Sequence, residues 1–66
     1  MAMDDDTAEL TARLCTRIGI IMEDTSIIAL TIGALGEEER LEALTQLDAA
    51  ARTISDLVRA ARAIQA

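Results

Sequence analysis

A row of apolar residues in the N-terminal half of the chain recurs at alternating spacings of four and three positions. This alternation is the heptad pattern of a helix that packs along a partner helix. The row keeps its phase through the polar stretch EDTS at 23–26, so the sequence predicts one continuous helix over about residues 5–34. We call this row the seam; its members are Leu14, Ile18, Ile21, Thr25, Ile28, Ile32 and Leu35.

The EDTS stretch leaves a second interpretation open. Asp24 and Thr25 are residue types that cap the N-terminus of a helix. The stretch would then be a loop before a short second helix from Ser26 to Leu35. The chain would then be a three-helix unit instead of a two-helix hairpin.

The two ends of the first helix carry their own signals. The acidic start Asp4, Asp5 and Asp6 predicts an N-terminal cap, because carboxylates accept hydrogen bonds from the free N–H groups there. At the other end, Gly36 suits the left-handed conformation that commonly follows a helix. We therefore expect a turn at about residues 35–37.

A second helix is predicted over about residues 37–64. Three glutamates open it, and acidic side chains in a first turn complement the helix dipole. One side of this helix is apolar and the other is charged, which is typical of a helix with one exposed face. The apolar stripe comprises Leu44, Leu47, Ala51, Ile54, Val58 and Ala61, widened by Leu41, Ala50, Leu57 and Ile64.

Two helices of similar length joined by a short turn predict an antiparallel helical hairpin and an all-α fold. The chain of 66 residues forms a single domain, 1–66, with no aromatic residue, no histidine and one cysteine. A chain this short rarely builds a core worth more than about 3–5 kcal/mol without disulfides, metal or oligomerisation. An internal disulfide and an ordinary zinc site are both excluded by composition. We therefore expect a homo-oligomer, a dimer or a tetramer, with a dimer forming a four-helix bundle.

Apolar residues on the first helix also lie away from the seam. Ile20, Ile27 and Leu30 fall on roughly the opposite side of the helical wheel. A helix that is apolar on both sides is normally covered on both sides, and one partner helix covers only one. The expected oligomer or partner interface is therefore Leu14, Ile18, Ile20, Ile21, Ile27, Ile28, Leu30 and Ile32.

The composition disfavours catalysis. The chain has no histidine, tyrosine or lysine, so a Ser–His or Cys–His nucleophile pair cannot be built. We predict no enzyme, no catalytic residue, no cofactor and no metal site. Cys15 is expected to be a buried small apolar residue, and Thr25 is expected to bond to a carbonyl of its own helix. Glu23 and Asp24 are expected at a solvated edge.

The sequence predicts a small non-catalytic protein-interaction module, such as an adaptor, a regulatory subunit or a chaperone-like subunit. One alternative is an obligate subunit of a hetero-complex, similar to secretion co-chaperones or antitoxins. A second is an RNA-binding bundle that uses a polar partner face of Arg52, Arg59 and Arg62. The net charge of −6 repels phosphate backbones, so nucleic acid is not the expected partner. The uncharged stretch Thr25 to Gly36 is too short to span a bilayer, and we expect a cytoplasmic protein without membrane contact.

Overall fold

The computed structural model describes residues 2–65, with side chains from Asp6 to Gln65. Helix α1 spans Ala2–Thr31 and ends in a 3-10 turn at Ile32–Ala34, and helix α2 spans Glu37–Gln65. The two helices pack against each other, and no strand occurs within the described residues. The predicted all-α helical hairpin is confirmed.

Helix α1 passes through the EDTS stretch without interruption, which excludes the three-helix interpretation. The hydroxyl of Thr25 donates to the carbonyl of Ile21 at 2.7 Å, and that of Ser26 donates to the carbonyl of Glu23 at 2.8 Å. Both side chains therefore satisfy their polar groups within the helix and do not compete with it by forming a turn. The expected bond from Thr25 to its own helix is confirmed.

The predicted start of α1 is wrong by a few residues. The helix begins at Ala2, so Asp4, Asp5 and Asp6 lie inside its first turns and not ahead of them. Acidic residues are favoured throughout the first turn by the helix dipole, and the alanine and methionine before them are good helix formers. The helix therefore continues past the expected cap.

The turn also differs from expectation, because no residue described in the structure has a positive φ. The chain leaves the 3-10 turn through Leu35, whose backbone is extended (φ −87°, ψ 154°). Gly36 then precedes α2, where its N–H donates to Glu39 Oε1 at 3.3 Å and its carbonyl accepts from the N–H of Arg40 at 2.8 Å. Gly36 is thus the N-terminal cap of α2 and not the left-handed end of α1.

The hairpin interior lies along the seam. All of its members are buried or half-buried, and Ile18 is 9% exposed. On α2 six of the seven inward residues belong to the predicted stripe, and the seventh is Ala43, only 5% exposed, which faces α1 in place of Leu44. Leu41, Leu44, Ala51 and Val58 of the predicted stripe are exposed instead. Alanines opposite the long side chains of α1 let the two helices approach closely. The inward residues of α2 are Ala43, Leu47, Ala50, Ile54, Leu57, Ala61 and Ile64.

The hairpin is a thin rod. Its Cα atoms extend over 54 × 16 × 9 Å, and the radius of gyration is 15.6 Å. A compact domain of this length has a radius of gyration of about 11 Å. Because the rod is only one layer of helices thick, most side chains reach solvent from at least one side.

Candidate interaction surfaces

An outer surface lies on the side of α1 that faces away from α2. It consists of Ile20, Ile27 and Leu30, and their exposed fractions are 54%, 65% and 84%. Glu23, which is also exposed, lies three positions after Ile20 and four before Ile27. The sequence predicted that these residues lie off the seam, and the hairpin leaves all of them in solvent. Large apolar side chains grouped on one surface are typical of a contact site.

A second apolar surface runs along one edge of the hairpin, and we call it the lateral face. Each member directly follows an inward residue of its own helix. In an antiparallel pair, such positions of both helices lie on the same edge. Its apolar members are Cys15, Met22 and Ala29 on α1 and Leu44, Ala51 and Val58 on α2, all exposed. Asp48, Ser55 and Arg62 follow inward residues of α2 in the same way, so they also lie on this face.

The opposite edge of the hairpin, which we call the polar edge, consists of residues that directly precede an inward residue. Arg17, Asp24, Gln46 and Thr53 are among them, and Ile20 and Ile27 of the outer surface meet the same rule. A shallow depression on this edge is lined by Ile28, Leu35, Glu39, Glu42, Ala43 and Gln46. Polar and apolar residues therefore alternate on the polar edge of α1.

The structure separates the residues that the sequence grouped as one interface. Leu14, Ile18, Ile21, Ile28 and Ile32 turn toward α2 of the same chain. Ile20, Ile27 and Leu30 point outward. The inward group builds the hairpin, and the outward group is available to another chain.

The polar partner face of α2 is exposed, and neighbouring carboxylates partly neutralise the positive charge of its arginines. Arg52 forms an ion pair with Asp48 at 3.2 Å, and Arg59 lies 3.9 Å from Asp56. Arg62 is in the last turn of α2, where a cation complements the helix dipole. Exposed pairs of this kind contribute at most about 1 kcal/mol. Phosphate contacts would have to compete with these carboxylates.

The remaining polar candidates give no sign of chemistry. Cys15 is exposed in the hairpin, so the expectation that this thiol is buried is wrong for the single chain. Glu23 and Asp24 are exposed, as expected. Among the described residues no group of acidic or cysteine side chains is arranged to hold a metal ion.

Sequence reasoning missed the lateral face because it assigned Leu44, Ala51 and Val58 to the inside of the hairpin. The signal was present in α1, where a second alternating row follows the seam one position later. That row holds Ala12, Cys15, Gly19, Met22, Ser26 and Ala29, and contains no charged residue. The sequence placed Cys15, Met22 and Ala29 beside the seam, but it did not join them to residues of α2 in one surface.

The chain matches no protein-family model, no curated protein and no solved structure. Neither α1 nor α2, over residues 2–65, has an apolar segment long enough to cross a bilayer.

Proposed function

We propose that this chain is a non-catalytic protein-interaction module that acts by burying apolar helix surface in a homo-oligomeric helical bundle. The observation that carries the proposal is the amount of surface that the single hairpin leaves in solvent. A regulatory, adaptor or chaperone-like role is compatible with such a module.

The accessible surface of the hairpin is 5197 Å². A compact monomer of 7.1 kDa has an accessible surface of about 4,100 Å². The excess of about 1,100 Å² is comparable with the roughly 800 Å² that each partner buries in a standard stable interface. Contact with another helical chain would bring the exposed surface per subunit into the range of a compact protein.

The interior of the single hairpin is correspondingly small. Ile18 and Ala43 are the buried apolar residues of the described part of the chain. Full burial of a large aliphatic side chain contributes about 1.5–3 kcal/mol, and most seam residues are only half-buried. Further burial in an assembly would add the stabilisation that the hairpin lacks.

In this proposal the outer surface anchors the assembly. Ile27 lies between Ile20 and Leu30 on that surface. A carboxylate introduced at its centre would be desolvated without a partner in any assembly that buries it. Because Ile27 is 65% exposed in the hairpin, the same change costs the single chain little.

The test is the absolute mass from light scattering on a sizing column over a dilution series. We expect the wild-type chain to be a dimer or a larger assembly. Ile27→Asp should lower both the mass and the melting temperature. Thr45→Asp, which adds the same charge at an exposed position of α2, is the matched control and should leave both unchanged.

If Ile27→Asp keeps the wild-type mass and melting temperature, the outer surface is not an anchor. A wild-type chain that is a helical monomer at all concentrations would contradict the homo-oligomeric proposal. The apolar surface would then belong to an interface with a different protein.

A further inference from the structure

We propose that a second copy of this chain docks on the lateral face, with the two α1 helices side by side and antiparallel. The two-fold axis passes between Ile20 and Ile21. This inference rests on the self-association in the proposed function, and adds the surface, the orientation and the register. The four helices then form a square bundle in which α1 lies beside α1 of the second copy, and α2 beside its α2.

The lateral face fits this arrangement because it repeats the spacing of the seam. The row Ala12, Cys15, Gly19, Met22, Ser26 and Ala29 follows the seam by one position, and so has the same alternation of three and four. Gly19 is half-exposed and the other members are exposed. A helix can therefore pack along this row as α2 packs along the seam.

The row is complementary to itself when it is reversed. An antiparallel partner can place Ala12 opposite Ala29, Cys15 opposite Ser26 and Gly19 opposite Met22 of the second copy. The largest side chain of the row then meets the residue without a side chain, and the remaining pairs are small against small. Alternation of large and small residues across facing positions is what close packing of helices requires.

Gly19 supports a contact from outside the hairpin. A glycine inside a helix is unfavourable relative to alanine, so its presence calls for a compensating reason. Its φ is not positive, and a Cβ atom built there would meet no other atom within 4 Å. Nothing inside the hairpin needs the missing side chain, whereas Met22 of a second copy would occupy that space.

Charge favours this orientation over one that places α1 beside α2 of the second copy. Asp48 and Arg62 directly follow inward residues of α2, so they lie on the lateral face.

With α2 beside α2 of the second copy, these charges face an edge that carries charges of both signs. With α1 beside α2 of the second copy, they would face the uncharged row of α1, where Asp48 keeps its ion pair with Arg52 but the row offers no charged partner.

A second copy is also the occupant that fits the available area. The surface in excess of a compact monomer is close to what one subunit buries in a dimer. The outward residues Ile20 and Ile27 stay outside this contact, so they would join lateral dimers into a tetramer or a larger assembly, which Ile27→Asp would reduce to the lateral dimer.

Disulfide formation tests the register of the two α1 helices directly. Ser26→Cys adds a second thiol opposite Cys15 of the other copy. Within one chain these positions are about 16 Å apart along the helix, too far for an internal disulfide. We expect mild oxidation to give a covalent dimer in high yield. Mass spectrometry should identify a peptide in which Cys15 is joined to the introduced thiol at position 26.

The matched control is Thr53→Cys, which places the second thiol on the polar edge of the hairpin. That variant should stay uncrosslinked under the same conditions. A Ser26→Cys protein that is dimeric but links only identical positions, 15 to 15 or 26 to 26, would overturn the proposed register. A dimer that forms no link would overturn the lateral contact.

A packing test uses two alanines. Ala29→Leu enlarges a residue of the row, and Ala49→Leu enlarges an exposed alanine of α2 away from the lateral face. We expect the first variant to dissociate at least tenfold more readily in a dilution series, and the second to behave like the wild type. Circular dichroism at high concentration checks that both remain helical, and equal dissociation of the two variants would contradict the inference.

Failure of this inference can be told apart from failure of the proposed function. Ile27→Asp in the Ser26→Cys background leaves the lateral face unchanged, so the link between Cys15 and the introduced thiol should still form. If that variant loses the link as well, the two surfaces act as one contact, and the assignment of the second copy to the lateral face is wrong. A wild-type chain that is monomeric would instead contradict both the proposed function and this inference.

Discussion

At the scale of single residues, the informative side chain is Thr25, the polar member of the seam. It is half-buried, and its hydroxyl bonds to the Ile21 carbonyl at 2.7 Å. Thr16 makes the same bond to Ala12 at 2.9 Å on the exposed side of α1. The two threonines therefore differ mainly in burial, which makes them a matched pair.

Thr25→Val should stabilise the hairpin by about 0.5 kcal/mol, because a methyl group replaces a half-buried hydroxyl. The Ile21 carbonyl keeps its helical bond to the backbone N–H of residue 25 and is not left unpaired. Thr16→Val at the exposed site should change the free energy of unfolding by less. Urea unfolding of both variants at one protein concentration is the measurement. A loss of more than about 1 kcal/mol for Thr25→Val would show that the hydroxyl sets the register of the helices.

At the scale of elements, the start of α2 is held by side chains of its own first turn. Glu39 accepts a hydrogen bond from the Gly36 N–H, and the Arg40 guanidinium donates to the Leu35 carbonyl at 2.8 Å. These bonds satisfy backbone groups at the helix end and so stabilise the turn.

Glu39→Ala should therefore lower the free energy of unfolding by about 0.5–1 kcal/mol. Glu38→Ala is the control, because Glu38 lies in the same first turn and shares the dipole effect without the bond to Gly36. Chemical unfolding monitored by circular dichroism compares the two. Equal losses would mean that the dipole, and not the cap, holds this end of α2.

At the scale of the whole molecule, the proposed self-association would supply much of the stability of the thin rod. A protein stabilised by binding to its own copies has a melting temperature that rises with concentration. We expect the wild-type melting temperature to rise steadily across a wide dilution series.

The melting temperature of Ala29→Leu should depend less on protein concentration than that of the wild type. The melting temperature of Ala49→Leu should show the same dependence as the wild type. Thermal melts followed by circular dichroism provide the comparison. A wild-type melting temperature that is constant over the whole series would indicate that the hairpin is stable alone.

The sequence by itself indicated a helical hairpin and the face of α1 that is buried, but it left open whether the EDTS stretch interrupts the first helix. The seam from Leu14 to Leu35 keeps one phase, and a period of alternating three and four positions is a local property that any straight helix expresses. The same local reasoning placed Ile20, Ile27 and Leu30 on the outside. Short-range rules also predicted that a new helix begins at the glutamates after Gly36.

Only the tertiary structure decided which part of the wide apolar stripe of α2 turns inward. Leu47, Ile54 and Ala61 at its centre are half-buried, but the stripe has two apolar sides, one with Ala50 and Leu57 and the other with Ala51 and Val58. Helix periodicity cannot choose between them, because the choice depends on how closely the two helices approach. Small alanines facing the long side chains of α1 allow that approach, and this rotation carries Leu44, Ala51 and Val58 to the lateral face, where they join Cys15, Met22 and Ala29.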